Sequence, residues 1–180
     1  MSKEQAFTSL LDEQKDRVYS YAVHVLQHPE DAEDVVQHSF IQLWRQWDRV
    51  ETEKRGRWLM QVVHNRCMDN LRRRRSTRER FLPPGEGHLE TASRCTPSIE
   101  CADRAAEFAD AQRVLRKGMA TLPETTRSML VLHYFHDMPL DRIAEMLRLP
   151  VGTVKAALHR GRKKLREFLG ETYPELVESR

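Results

Sequence analysis

From Pro139 to Arg166 the chain reads PLDRIAEMLRLPVGTVKAALHRGRKKLR, and this stretch constrains the fold more than any other. Ile143, Ala144 and Leu147 give an apolar face at helical spacing. Leu149 and Pro150 interrupt it. The residue before a proline is pushed out of the right-handed helical region, so a helix boundary is expected at Leu149. A second helix starts over Val151 to Thr153, with Val154, Ala157 or Leu158, Leu165 and Phe168 on its apolar side. Its other side carries Lys155, Arg160, Arg162, Lys163, Lys164 and Arg166. Ala144 is small where the helices would cross, and Ile143, Leu147, Leu149 and Val154 would form their joint core. Two short helices, a tight turn and one-sided positive charge are the layout of a helix-turn-helix, whose second helix lies in the DNA major groove. The competing reading is a helical hairpin with a solvated basic face.

The remaining sequence predicts an all-α protein. Glycine is scarce, and no alternating strand pattern stands out among the leucine-, valine- and arginine-rich segments. A length of 180 residues suits one ordinary domain or two small ones. The net charge is only +3, so placement matters more than sum. Basic residues cluster at Arg72 to Arg75 and from Arg160 to Arg166, while acids gather at Glu30 to Asp34 and Glu100 to Glu107. Such segregation suits a chain that touches nucleic acid in one place and protein in another. Cys67, Cys95 and Cys101 make no disulfide framework, and Met1 to Gln5 opens no signal peptide. With no apolar run long enough to span a bilayer, membrane insertion is not expected and a cytoplasmic location is.

Along the chain, a first helix is expected over Lys3 to Gln27, with Phe7, Leu11, Val18, Ala22 and Val25 on one face and His28-Pro29 as its stop. A second starts near Glu30. Its acids occupy the first turns, where they favour the positive end of the dipole. Its apolar stripe is Ala32, Val36, Phe40, Leu43 and Trp47, and Trp44 is also expected in the core. A charged connector covers Asp48 to Gly56. A third helix follows over Arg57 to Arg74, with Trp58, Leu59, Val62, Val63 and Leu71 inward. Residues 76–98 read as a flexible linker, marked by PPGEG and scattered serine and threonine. Four helices are then expected: Ile99 to Ala120, Glu124 to His136, Leu140 to Arg148 and Val151 to Leu169. Thr121 and Glu124 have capping-box spacing. The expected organisation is thus a domain over 1–75, the linker over 76–98, a domain over 99–170 and a short tail over 171–180.

Three word-like stretches carry a family resemblance. LPETTRSMLVLHYFHDMPLDRIAEMLRLPVGTVKAALHRGRKKLREFL resembles region 4 of the sigma-70 family of bacterial RNA polymerase subunits, above all in Leu122-Pro123, the RIAEML run and Gly152 to Lys155. DAEDVVQHSFIQLWRQW (Asp31 to Trp47) and RWLMQVVHNRCMDNLRRRR (Arg57 to Arg75) resemble region 2 of the same family. Both signatures stand in the family's order and cover nearly the whole chain. The short length leaves no room for regions 1 and 3, which points to the extracytoplasmic-function (ECF) class.

The resemblance implies a subunit that grips core RNA polymerase, reads and melts the −10 element of promoter DNA, and reads the −35 element. No covalent chemistry, metal or cofactor is implied. The core-binding face would lie on the second helix, at Asp31, Asp34, Gln37, Gln42 and Arg45; the alternative is a merely solvated polar face. The −10 function would fall to Lys54, Arg55, Arg57, Asn65, Arg66, Asp69, Arg72, Arg73, Arg74 and Arg75. Strand opening needs surfaces that neutralise phosphates and pocket unpaired bases. Asn65 matches a family position near the everted-base pocket. Trp58 either packs inward or walls that pocket, and the arginine run could instead be a solubility or localisation patch. At −35, Lys155 and Arg160 would face the groove. Thr153 and Gly152 would offer N-terminal N–H groups to a phosphate, and Arg162, Lys163 and Lys164 would hold backbone.

Two positions depart from the family pattern. Serine, arginine and leucine usually follow GTVK; here Ala156, Ala157 and Leu158 do. Arg148 replaces a frequent turn glycine, at a cost of about 1 kcal/mol if φ is positive there. His88, Cys95, Cys101, His133 and His136 fit no compact zinc signature. An anti-sigma factor is a further partner that the family implies. The competing function is a helix-turn-helix regulator acting without replacing sigma. It would need a ligand or phosphoacceptor domain that the first half does not spell. An enzyme lacks any phosphate loop, nucleophile motif or metal-ligand cluster.

Overall fold

The computed structural model describes residues 2–81 and 112–173, and these form two separate helical units. Among the described residues all regular structure is helical, as the periodicity predicts.

The first unit is a three-helix bundle of α1 (Lys3–Leu26), α2 (Pro29–Arg45) and α3 (Arg55–Phe81), with a 3₁₀ turn at Thr52–Lys54. Ser2 and Gln5 start α1 with a reciprocal capping box: the Gln5 N–H donates to Ser2 Oγ at 3.2 Å and the Ser2 N–H to Gln5 Oε1 at 3.0 Å. Gln27, left-handed at φ 59°, ends it. Pro29 then occupies the first turn of α2, where its missing N–H costs nothing. Val18, Tyr21, Ala22 and Val25 of α1 meet Ala32, Val36, Phe40 and Leu43 of α2 and Leu59, Val63, Cys67 and Leu71 of α3 in one buried core. Burial pushes the Cys67 thiol pKa up, with Asp31 adding to the shift, so Cys67 is an inert core residue.

The connector is more ordered than its composition suggests. Arg55 lies 3.7 Å from the centre of the Trp47 ring and donates to the carbonyls of Val50 at 3.2 Å and Trp47 at 3.1 Å. This clamp starts α3 at Arg55 rather than at Arg57. Helix-favouring arginines also carry α3 to Phe81, well past Arg74. Trp44 corrects another expectation. It is 38% exposed, flanked by Phe7 and by Lys3, whose Nζ lies 5.0 Å from the ring centre.

Tyr21 and His64 form a buried polar contact between α1 and α3, with Tyr21 Oη 2.7 Å from His64 Nδ1. Burial, helped by the Arg72 charge, lowers the His64 pKa from 6.5 to about 4. The unfolded chain therefore binds the proton more readily than the folded one. The stability that this histidine contributes is present above pH 6.5 and falls away as pH drops toward 4. The expected loss at pH 5 is about 2 kcal/mol in this unit. It is measurable as a pH-dependent denaturation midpoint by tryptophan fluorescence, and should vanish in His64→Gln.

The second unit contains α4 (112–120), α5 (Glu124–Leu130), a π-helical turn at Val131–Phe135, α6 (Leu140–Leu147) and α7 (Val151–Thr172). The expected start at Ile99 lies outside the described residues, as do His88, Cys95 and Cys101. The expected capping box is absent: Pro123 is the N-cap of α5 with no side-chain bond, and Thr121 Oγ1 donates instead to the Gly118 carbonyl at 2.8 Å. The predicted helix over Glu124 to His136 stays helical to Phe135 but widens into a π turn from Val131, after which the Met138 N–H reaches back to the Leu132 carbonyl at 3.0 Å and Tyr134 and Phe135 are turned outward. Of the expected joint core, Ile143 and Val154 are buried, together with Ala144, Met146, Ala157 and Leu158, but Leu147 is only half-buried and Leu149 is exposed. It sits at the rim of a turn in which its own N–H closes onto the Ala144 carbonyl at 2.9 Å. Arg148 adopts φ 56°, the left-handed geometry that glycine would take without strain. At Gly161, α7 touches α5. A Cβ there would lie 2.8 Å from Thr126 Cγ2 and 2.9 Å from Leu130 Cδ1, so only glycine lets the helices approach this closely.

Candidate nucleic-acid and polymerase interfaces

The basic surface of the second unit is α7. Pro150 caps its start, so no side chain occupies the first free N–H groups, and its first turn contains no acid. Gly152, Thr153, Lys155, Arg160, Arg162, Lys163 and Lys164 are all exposed. Two of them are engaged within the chain. Lys164 Nζ donates to the Thr121 carbonyl at 2.8 Å, stapling α7 to the α4–α5 turn, and Lys163 pairs with Glu167 at 3.7 Å. Successive helical residues are turned by about 100°, so Lys155 and Arg160 stand on opposite flanks of the solvent arc. Exposed His159 lies between them, beside Gly152 on the outermost line. His159 is not among the contacts that the sequence leads one to expect, because its spacing alone does not set it apart from a solvated polar residue. No Cβ obstruction lies within 4 Å of Gly152, so packing inside the chain does not require glycine there.

In the first unit the residues proposed for two different jobs meet. Asp34, Gln37 and Arg45 of α2 point to solvent. Asp31 does not stand alone, because it forms an ion pair with Arg74 of α3. Gln42 is likewise engaged: its Oε1 accepts from Arg66 Nη2 at 3.0 Å. Between the helices lies an open cleft of about 280 Å³, lined by Asp34, Val35, His38, Arg66, Asp69, Asn70 and Arg73. Arg66 Nε and Asn70 Oδ1 are buried there without a hydrogen-bond partner among the described residues.

Of the −10 candidates only Arg66, Asp69 and Arg73 line this cleft. Asn65, Arg57 and Arg72 to Arg75 are exposed. Asp69 pairs with Arg72 at 3.1 Å and Lys54 with Glu51 at 2.7 Å. Arg55 is committed to the Trp47 clamp, so its role inside the fold is structural. Trp58 is half-buried at the start of α3. A residue that the sequence reading missed is Ile41. It is 48% exposed on the same side of α2 as Gln37 and Arg45, an apolar centre within a polar face. The signal was there, since Ile41 falls outside the Val36–Phe40–Leu43 stripe.

Comparison with known proteins follows the same two units. Residues 10–77 match the family described as Sigma-70 region 2, and residues 112–165 match Sigma-70, region 4. The ECF RNA polymerase sigma factor SigW of Bacillus subtilis (strain 168) is 28% identical over 170 residues, covering 92% of this chain and 90% of that protein. SigE of Mycolicibacterium smegmatis, also an ECF RNA polymerase sigma factor, is 28% identical over 174 residues, 97% of this chain and 65% of its own length. Two solved structures share the fold. One is the sigma factor RpoE in complex with the anti-sigma factor NepR from Bartonella quintana, with a TM-score of 0.72, 19% identity, and 91% and 96% of the two chains covered. The other is CnrH in complex with the cytosolic domain of CnrY, with a TM-score of 0.64, 22% identity, and 95% and 92% covered. Among the described residues no helix is long and apolar enough to cross a membrane. With both family regions matched in order along one chain, and relatives named ECF RNA polymerase sigma factors aligned over most of its length, this protein belongs to the sigma-70 family, in its ECF subfamily.

Proposed function

We infer that this chain is a dissociable, non-enzymatic initiation subunit that works in the cytoplasm. In this reading α2 binds core RNA polymerase, the connector and α3 read the −10 element and assist strand opening, and α7 reads the −35 element. The observation that carries it is the pairing of region 2 and region 4 on one chain, each presenting an exposed polar or basic helix face. A regulator acting beside an existing sigma would have no use for the first of these units. Because two of the similar structures hold partner chains described as an anti-sigma factor and a cytosolic domain, an anti-sigma partner is part of the proposal.

The decisive experiment is capture of purified core polymerase by the chain, followed by promoter-dependent runoff transcription. The free chain should bind duplex DNA weakly, with promoter selectivity appearing only when core holds both units on one template. A tight, sequence-specific gel shift by the free chain would instead establish the regulator. Within the core-binding face, Ile41→Ala should lower core affinity about tenfold, since an exposed apolar anchor ringed by polar groups behaves as an interface hot spot. A fluorescence titration with core polymerase reads this directly.

A further inference from the structure

The ion pair between Asp31 and Arg74 joins a residue of the proposed core-binding face to one of the proposed DNA-binding cations. It spans the start of α2 and the basic run of α3, at side-chain exposures of 21% and 43%. Asp31 is therefore partly shielded, with His28 Nδ1 3.8 Å from its other oxygen. A carboxylate in this position cancels the charge that Arg74 would offer to a phosphate. The neighbouring link from Gln42 to Arg66 differs in one respect. Its acceptor is a neutral amide, so Arg66 is oriented but keeps its full charge.

We propose that Asp31 masks Arg74 in the free chain, and that core polymerase, by engaging the α2 face, takes over Asp31 and releases Arg74 to the DNA backbone. This rests on the assignment of α2 to core and α3 to DNA. It adds a coupling between them: core binding raises DNA affinity and, by linkage, DNA raises core affinity by the same factor. The unbound chain then keeps one phosphate contact switched off, which suppresses binding to DNA at large, where affinity is mostly phosphate contacts.

The test uses the full chain, with a fluorescently labelled mixed-sequence single strand as probe, read by anisotropy across a salt series. It is run with the chain alone and with saturating purified bacterial core polymerase. Asp31→Asn should bind the probe three- to tenfold more tightly than wild type when free, with the slope of log affinity against log salt steeper by about one. In the presence of core that gain should shrink to less than twofold. Arg74→Gln should change little in the free chain but weaken the core-bound complex, and the double variant should follow Arg74→Gln. Circular dichroism confirms that the variants fold. If Asp31→Asn has no effect on the free chain, or the same effect with and without core, the mask is overturned. If Arg72→Ala and Arg73→Ala still weaken the core-bound complex in that case, the assignment of α3 to DNA stands and only the mask falls. If no arginine variant weakens it, the assignment falls and the mask with it.

Discussion

Arg127→Ala should remove about 3 kcal/mol from the stability of the second unit. Arg127 is buried at the centre of the α4–α5 junction, with Nε donating to the Met119 carbonyl at 2.9 Å and Nη2 to those of Ala120 and Leu122 at 3.3 Å each. These carbonyls belong to the end of α4 and the turn after it, where helix geometry leaves acceptors without partners. Burial lowers the Arg127 pKa, partly opposed by Glu124, and arginine has ample margin to stay charged. Truncation leaves the Met119 carbonyl its bond from the Leu122 N–H at 3.2 Å but takes this donor from the Ala120 and Leu122 carbonyls, and a buried acceptor left unpaired costs about 1–3 kcal/mol before water or relaxation recovers part of it. Lysine cannot replace the planar fork, so Arg127→Lys should lose most of the same stability. Trp44, Trp47 and Trp58 all lie in the first unit, so fluorescence reports the wrong half of the chain. Amide exchange over α5 to α7 is the proper readout. Unchanged protection in Arg127→Ala would show that the junction is held by apolar packing alone. The consequence reaches the DNA surface, because α5 is the helix on which Gly161 seats α7.

On the assembled holoenzyme, Lys155→Ala and Arg160→Ala should each weaken −35-dependent binding, and at least one should relax base preference at a single position. A base contact is worth about 1–3 kcal/mol of discrimination, whereas a phosphate contact lowers affinity for all sequences and reduces the salt slope by about one. The two residues flank the exposed arc of α7 from opposite sides, so they should affect different positions of the element. Lys163 and Lys164 already bond to Glu167 and Thr121, and their removal should act weakly or through stability. Ala157 is buried, so replacing it with the arginine common in the family would push a charge into the α7 core. This chain therefore recovers no groove contact that way, and Ala157→Arg should cost stability in the second unit rather than raise DNA affinity. Selection from a randomised −35 library decides the matter: wild-type selectivity in both alanine variants would disqualify α7 as the reader.

The helical class, the two units and the helix-turn-helix were legible because they depend on local rules. Pro29 and Pro150 each open a helix, and the spacing of Val18, Ala22 and Val25 places them on one face wherever the helix lies. Exposed cations at Lys155 and Arg160 follow from the same spacing once Val154 and Leu158 are buried. Local rules do not say which of two equally spaced aromatics is covered. Trp44 and Trp47 both follow Phe40 at helical intervals, yet Arg55 covers one of them and solvent reaches the other. Nor do they show that Arg55, read as a DNA contact, closes the connector. The pairs Asp31–Arg74 and Gln42–Arg66 were unreadable for the same reason. Each residue looks like a free polar group on its own helix. Only the packing of α2 against α3, set by the buried apolar faces of both helices, brings an acid and an amide within reach of those arginines.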